Sequence, residues 1–233
     1  MTERETKEAH EDEIDLYELL LVLKKRIKLI IAVFVLGVVA ATVMSFLMPN
    51  IYHARASIWV YSSLTTSRPP DINNMSLSIL NNLEFRKKVL NEVKNIYGNT
   101  KDILDLEKDL NAGAWSKIFS SSIDKTTGAI ILSSDQKEKN LAEEILKISI
   151  KEFEKELEKA SQTYAEVLGQ TFEKLNKNDK LFVLHVIEQP TSLEKPVKPK
   201  RKLIIAVSGV TFLILGVFSA FVVEWWSRVR STQ

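Results

Sequence analysis

Few residues in this chain have the types and spacing that catalysis or metal binding requires. Cysteine is absent, which excludes disulfides, zinc–thiolate sites and thiol nucleophiles. The three histidines, His10, His53 and His185, are far apart in sequence, and we interpret the last two as ordinary strand residues. No Walker-type phosphate loop, Gly-x-Ser-x-Gly nucleophile motif or His-Glu-x-x-His metal motif occurs. We therefore predict a protein that is not an enzyme and has neither a cofactor nor a metal site.

The charged residues indicate a membrane surface rather than nucleic acid as a partner. The formal net charge is only +2, which predicts no general affinity for nucleic acid. A local cluster of cations precedes the second apolar stretch described below and comprises Lys195, Lys198, Lys200, Arg201 and Lys202. Two interpretations of this cluster are open. It binds lipid headgroups or a phosphate-bearing lipid carrier, or it is a solvated anchor whose side chains reach the membrane interface.

Two uncharged apolar stretches, residues 29–48 and 203–223, determine how the rest of the chain is placed. Each would form a helix of about 30 Å, the thickness of the hydrocarbon core of a bilayer. We predict two transmembrane helices. A cleaved signal peptide is disfavoured because the leader is acidic and no small-x-small site precedes the exit of the first span. The predicted organisation is a tail (1–28), a span (29–48), an extracytoplasmic domain (49–202), a second span (203–223) and a tail (224–233).

The distribution of cations around the first span predicts the orientation. Lys24, Lys25, Arg26 and Lys28 precede this span, whereas the nearest cation after it is Arg55. This asymmetry places the amino terminus in the cytoplasm, and two spans return the carboxyl terminus to the same side. The cations before the second span favour the opposite orientation, but the first span usually dominates and long loops cross regardless of charge. We therefore expect a multi-pass membrane protein with an extracytoplasmic central domain. The resemblance described below implies that the membrane is a bacterial inner membrane and that the domain is periplasmic or extracytoplasmic.

Small residues recur at helical spacing in both spans. They are Gly37, Ala41 and Ser45 in the first span and Gly209, Gly216 and Ala220 in the second. Small side chains on one helix face allow close approach in lipid, so we predict packing faces at these positions. Whether the contact lies within one chain or between subunits is open at this point.

The loop between the spans is predicted to fold as an α+β domain. The pattern gives a strand over 52–60, a helix over 75–97, a short helix over 102–110, strands over 115–123 and 129–133 around a turn at 124–128, a helix over 136–176 and a strand over 181–188. This β-α-β-β-α-β order is the split ferredoxin-like pattern, one sheet with helices on one face. The charged middle of the long helix predicts that it projects from the core. The last strand, apolar on both faces, is expected to be internal.

A proline-rich segment, residues 189–202, leads from the last strand into the second span. Its prolines are Pro190, Pro196 and Pro199, followed at once by Lys200 and Arg201. Because proline restricts the backbone to extended conformations, we expect a stiff tether between the domain and the membrane.

These features together resemble the Wzz chain-length-determinant family of polysaccharide co-polymerases. The resemblance is carried by residues 13–20 with the cations at 24–28, by the strand at 52–60, by Pro190, Pro196, Pro199 and Lys200, and by Gly209 and Gly216 with the Glu224-Trp225 exit. It covers most of the chain. The chain looks like a short member without a kinase domain, because its loop is shorter than in the best-known members and its tail has ten residues.

The resemblance implies a non-catalytic regulator. Members form ring-like homo-oligomers in the inner membrane and set the length of O-antigen, capsule or exopolysaccharide chains, which a separate membrane polymerase builds on a lipid carrier. The polymerase, the lipid-linked polysaccharide and the phospholipid bilayer are thus the implied partners. The alternative is an export adaptor that activates a separate cytoplasmic tyrosine kinase through its carboxyl-terminal tail. A two-span sensor is a third interpretation, which the absence of an output domain disfavours.

Overall fold

The computed structural model describes residues 16–62, 70–169 and 181–231. The chain divides into two compact units. One contains the two apolar helices, from the segments that end at Met48 and begin at Pro199, and the other comprises Pro49–Lys198. In chain order the elements are α1 (Leu16–Lys25), α2 (Ile27–Leu47), β1 (Tyr52–Ser62), α3 (Pro70–Leu80), α4 (Leu83–Tyr97), α5 (Lys101–Asn111), a 3-10 turn (Trp115–Lys117), β2 (Ser120–Ile123), β3 (Ile130–Gln136), α6 (Lys139–Gly169), β4 (Phe182–Ser192) and α7 (Arg201–Ser231).

The helical unit is a hairpin of α2 and α7, with α1 packed on the carboxyl-terminal part of α7. The two helices run antiparallel, since Lys25 is beside Glu224 while Phe46 is beside Arg201. Both helices are long and apolar enough to cross a membrane. Each begins before the predicted apolar stretch, at Ile27 and Arg201, and α7 also continues beyond it to Ser231. Most of their large apolar side chains are exposed, as expected for helices that face lipid.

The second unit is built on a four-stranded sheet with the order β2-β3-β1-β4, in which all neighbours are antiparallel. One face is buried, because Ala54, Ala56, Ile58 and Val60 alternate along β1 with more exposed side chains. On that face Phe85 of α4 makes edge-to-face contacts with Phe119 and with Phe153 of α6, at centroid distances of 6.3 Å and 6.5 Å. The predicted alternation of β1 and the predicted β2–β3 hairpin are thus present in the α+β domain.

Two predicted elements are interrupted by local capping and turn geometry. The helix predicted over 75–97 is two helices, because the chain breaks at Asn81 and Asn82. The Asn82 side chain accepts a hydrogen bond from the Glu84 amide at 2.8 Å and so caps α4, which favours a helix start there. The strand predicted over 115–123 begins only at Ser120, since residues 115–117 form the 3-10 turn.

The last strand differs from its prediction in position and length. Among the residues that the structure describes, β4 pairs with β1 alone and is therefore an edge strand, not an internal one. Its apolar side chains are only partly buried, and Ile187 is largely exposed. β4 also extends to Ser192, so residues 189–192 belong to the sheet rather than to a tether. The reason is pairing with β1, which continues past a bulge near Ser57 to join Arg55 with Thr191.

The long helix packs on the sheet for most of its described length instead of projecting from it. Buried side chains follow one face of α6 from Leu141 to Ser161. Its charged side chains form the solvated face, where Lys155 pairs with Glu152 and Lys159 with Glu156. The predicted stretch 170–176 lies outside the described residues. A periodic charge run in this chain therefore marks the outer face of a core helix.

Candidate functional surfaces: the helix hairpin and the proline-rich segment

Two glycines allow α2 and α7 to approach closely. A Cβ atom placed on Gly37 would lie 2.0 Å from Cγ of Phe212. One placed on Gly216 would lie 3.1 Å from the backbone oxygen of Ile30. Both distances are shorter than ordinary van der Waals contact, so a larger side chain requires Phe212 or the helices to shift at Gly37 and the two helices to shift at Gly216. The close approach occurs within a single chain.

The other predicted small residues differ in burial. Ser45 and Ala220 are fully buried, whereas Ala41 and Gly209 are half-buried. A Cβ atom on Gly209 would lie 3.7 Å from Phe34, which is an ordinary contact. The Ser45 hydroxyl makes no hydrogen bond, and among the described residues only Asn73 also buries such an unpaired side-chain atom. Of the three glycines in the two helices, Gly37 and Gly216 are therefore the ones where small size is a steric requirement.

An ion pair joins α1 to α7 where the apolar run of α7 ends. The Glu224 carboxylate accepts hydrogen bonds from Lys25 Nζ at 2.7 Å and from Arg26 Nε at 3.1 Å. Glu224 is only 7% exposed, and a carboxylate this buried requires paired cations. We call these three residues the Glu224 clasp. From the sequence, Glu224 enters only through the family resemblance, although an acid directly after an apolar span is also a signal for a paired carboxylate.

The proline-rich segment is hydrogen-bonded to the residues that follow the first span. The Ile51 amide donates to the Lys198 carbonyl at 2.9 Å, and the Val197 amide donates to the Ile51 carbonyl at 2.8 Å. Pro190 is buried within β4, Pro196 is exposed and Pro199 is half-buried. Val197 and Lys198 supply these bonds from between the two later prolines, which have no amide hydrogen to donate. The segment is therefore attached to the domain up to Lys198.

Asp135 of the sheet stabilises this attachment through its side chain. Its carboxylate lies 2.6 Å from His53 Nδ1 and 3.0 Å from Lys198 Nζ. Burial alone would raise the pKa of Asp135, but the hydrogen bonds from His53 and Lys198 outweigh it and hold the pKa below its usual value. Asp135 on β3 thus links β1 to the proline-rich segment.

The predicted basic residues at the start of α7 differ in their exposure. Lys200 and Lys202 are exposed, and Arg201 is half-buried with its guanidinium 4.7 Å from the ring centroid of Phe46. That contact is a cation–π interaction within the hairpin. Lys200 and Lys202 are thus exposed to solvent. This exposure fits both predicted roles, which are binding of lipid headgroups or a lipid carrier and a solvated anchor at the membrane interface.

Acidic side chains also line a cleft in the domain, where they pair with a cation. Among residues 16–62, 70–169 and 181–231, no three His, Asp or Glu side chains are grouped so as to hold a metal ion. The domain does have an open cleft of about 560 Å³, lined in part by Asp102, Asp105 and Lys137. Lys137 bonds to both of these carboxylates, at 2.7 Å and 3.2 Å, so the groups are engaged in ion pairs.

Comparison with known proteins gives one family. No curated protein matches the chain. Residues 12–106 match the family model described as Wzz, chain length determinant protein. This family acts in polysaccharide chain-length determination, is associated with the inner membrane and is a non-catalytic regulator. The match includes α1, α2, β1, α3 and α4, while the proline-rich segment and the second span lie outside it. The predicted resemblance is therefore confirmed over residues 12–106, which match Wzz chain length determinants.

Proposed function

We propose that this protein is a non-catalytic oligomeric scaffold that regulates the chain length of a surface polysaccharide. The polymer is O-antigen, capsule or exopolysaccharide, and a separate membrane polymerase builds it on a lipid carrier. The observation that carries the proposal is the family match over residues 12–106. The two apolar helices, one before and one after the α+β domain in sequence, support it, because a scaffold of this kind needs membrane attachment at both ends of the domain.

The proposal includes an orientation in the membrane. Both termini lie in the cytoplasm and the domain 49–198 lies outside it, as the cations before α2 predict. The sheet order β2-β3-β1-β4 supports the ferredoxin-like arrangement of that domain. The absence of cysteine makes the orientation testable with single cysteines. In right-side-out vesicles, a membrane-impermeant maleimide should label Lys125→Cys in the β2–β3 hairpin but not Arg228→Cys until the vesicles are opened.

The first experiment compares the length distribution of surface polysaccharide, on a gel, between a strain lacking the gene and the same strain expressing it. We expect a modal band that disappears without the gene and returns with it. An unchanged distribution combined with loss of all polysaccharide would favour the kinase-coupled export adaptor instead. No change in either length or amount would contradict both functions. A Lys87→Gln variant, altered only at an exposed pair with Glu84, serves as the matched expression control.

A further inference from the structure

The sheet of the α+β domain has a second face, opposite to the one that joins the core. Helix α6 packs on the core face, whose side chains on β1 are Ala54, Ala56, Ile58 and Val60. Because side chains alternate along a strand, Arg55, Trp59 and Tyr61 lie on the other face, and all three are exposed in the described part of the domain. We call the side of the sheet that carries these three residues the open face.

Two aromatic side chains form a row on the open face. Trp59 is 41% exposed and Tyr61 is 44% exposed, and they lie two residues apart on β1. Since a strand rises about 3.4 Å per residue, their Cα atoms are roughly 7 Å apart. On β4, the exposed His185 lies opposite Trp59, and Val183 lies opposite Tyr61. The row therefore presents two rings in line on a sheet surface, which suits an elongated ligand better than a compact one.

Polar groups continue the open face beyond this row. Arg55 lies four residues before Trp59, and its Nε atom is 3.9 Å from Oε2 of Glu188 on β4. Both side chains of this pair are about half exposed, at 52% and 51%. Toward β2, Ser133 lies opposite Arg55, and its hydroxyl oxygen is 2.8 Å from that of Ser120. The open face thus combines aromatic rings with hydrogen-bond donors and acceptors.

The charges described on the open face and at its end are balanced. Arg55 pairs with Glu188, and the Asp135 carboxylate bonds to His53 and Lys198. Cations matched by carboxylates in this way do not give the excess of positive charge that nucleic acid or an anionic lipid surface requires. A ligand with little net charge is therefore the better match.

A sugar chain has the chemistry that this combination of side chains recognises. Each pyranose ring has C–H groups of weak positive polarity on its faces and hydroxyl groups around its rim. The C–H groups stack on the negatively polarised faces of aromatic rings. The hydroxyl groups donate to carboxylates and accept from guanidinium groups.

We propose that the open face binds a segment of polysaccharide. Trp59 and Tyr61 stack on sugar rings, while Arg55 and Glu188 bond to sugar hydroxyls. This inference rests on the proposed function, in which the chain acts on a polysaccharide, and assigns the surface that holds the polymer.

A second copy of the chain is the competing occupant of the open face. Trp, Tyr and Arg are enriched at protein interfaces and suit either occupant, whereas Glu and Ser are depleted there. Glu188, Ser120 and Ser133 share the open face with the aromatic row. These polar side chains favour a hydroxyl-rich polymer over a second copy.

The test measures binding of the host strain's surface polysaccharide, released from its lipid anchor by mild acid. Titration calorimetry of the full-length chain, in a detergent without a sugar headgroup, gives the dissociation constant. We expect saturable binding that Trp59→Ala weakens roughly tenfold or more, because truncation removes the stacking surface. Tyr61→Ala should also weaken binding, whereas Trp59→Phe, which keeps an aromatic face, should retain most of it. Thermal unfolding of each variant checks that the fold is kept.

The matched control is Trp115→Ala. Trp115 is 42% exposed and belongs to the same domain, but it lies in the 3-10 turn instead of on the open face. This variant should bind the polysaccharide as the unaltered chain does. Equal weakening by Trp115→Ala and Trp59→Ala, or no binding by the unaltered chain, would overturn the proposal. So would a Trp59→Ala variant that changes the size of the oligomer in detergent but binds polysaccharide normally, a result that assigns the open face to a second copy.

Expression of the same variants in the strain lacking the gene separates this proposal from the proposed function. We expect Trp59→Ala to broaden the modal band of the polysaccharide and Trp115→Ala to leave it unchanged. A normal band and normal binding with Trp59→Ala would overturn the role of the open face and leave the chain-length function intact. Binding by an unaltered chain that does not change the length distribution would overturn that function and support the open face as a polysaccharide-binding surface.

Discussion

Arg86 buries a guanidinium among oxygen acceptors instead of carboxylates. It donates hydrogen bonds to the backbone oxygens of Leu80, Trp115 and Phe119 and to Asn81 Oδ1, and its guanidinium carbon lies 4.4 Å from the Phe119 ring centroid. Burial lowers the pKa of Arg86 from its ordinary value. One side chain thus connects the break between α3 and α4 to the segment that enters β2.

Substituting Arg86 tests this connection. Arg86→Met leaves three backbone oxygens without their donor, and we expect a loss of about 3 kcal/mol in unfolding free energy. Urea unfolding of the full-length chain in detergent, followed by tryptophan fluorescence, measures the change. The neighbouring Lys87→Met removes only an exposed pair with Glu84 and should change the free energy by less than about 0.5 kcal/mol. Equal effects of the two variants would contradict the role of Arg86.

Asp135 predicts a pH dependence of the proline-rich attachment. Its pKa is lower in the folded protein than its ordinary value, so it stabilises the fold fully above that ordinary value and loses this contribution as pH falls through the folded pKa. Because its side chain is partly exposed, the effect should be below about 1 kcal/mol. Thermal unfolding of the full chain between pH 6 and pH 3 should show a component that Asp135→Asn removes. An identical pH profile for the variant would exclude this contribution.

At the scale of elements, the helix hairpin depends on two close approaches and one ion pair. Gly37 and Gly216 set the separation of α2 and α7, and the Glu224 clasp fixes α1 beside α7. The clasp pairs two cations with one buried carboxylate, so removing different members should lower the stability by different amounts. Removing Glu224 leaves two exposed or half-exposed cations, whereas removing both cations leaves a buried negative charge.

A glycine substitution should separate the two helices. Gly37→Ala brings a methyl group against Phe212, so we expect a wider α2–α7 distance, which Phe212→Ala in the same chain should restore. Nitroxides on Leu36→Cys and Leu213→Cys, both exposed, report the distance by pulsed electron resonance. Gly209→Ala is the matched control because its new methyl group has ordinary contacts only. A distance change in the control as large as in Gly37→Ala would contradict the steric argument.

Breaking the clasp should release α1. In Glu224→Gln the carboxylate charge is lost while the size is kept, and we expect faster amide hydrogen exchange in α1 with little change in α2. Exchange measured by mass spectrometry on the full-length chain tests this. Arg230→Gln changes a charge on the same helix outside the clasp and should leave α1 exchange unaffected. Slow exchange of α1 in Glu224→Gln would show that apolar packing alone holds it.

For the whole molecule, the proline-rich segment connects the domain to the second span. Its attachment through Ile51 and Asp135 ends at Lys198, so Pro199 and Lys200 are the two residues between this attachment and the start of α7. Pro199→Gly removes the restriction on the backbone there at the cost of about 1 kcal/mol or less in stability. If the scaffold transmits its effect through this connection, the variant should assemble normally but broaden the modal band of the polysaccharide.

The matched control for that experiment is Pro196→Gly, an exposed position on the domain side of the Val197–Ile51 hydrogen bond. It should leave the band unchanged. Equal broadening in both variants would indicate a general loss of stability rather than a role at the junction.

The sequence by itself determined the elements whose signals are local. Uncharged apolar runs predict the two long helices, alternation predicts β1, and the turn at 124–128 predicts the β2–β3 hairpin, because each depends on residues close together in the chain. The family resemblance could also be predicted from the sequence, and the match over residues 12–106 confirms it. The break at Asn82 was also locally encoded, by a capping side chain, but apolar periodicity through residues 75–97 obscured it.

Only the tertiary structure decided which distant groups meet. An apolar strand has the same sequence pattern at the edge of a sheet as in its interior. Only the pairing with β1 shows that β4 lies at the edge. The charged face of α6 indicated projection, yet the apolar stripe buries most of the helix. An acid directly after the apolar run signals a paired carboxylate, but Glu224 lies 199 residues from Lys25, so no local pattern predicts which cations pair with it. Contacts between residues this far apart depend on the packing of whole helices and sheets, which a local sequence pattern does not record.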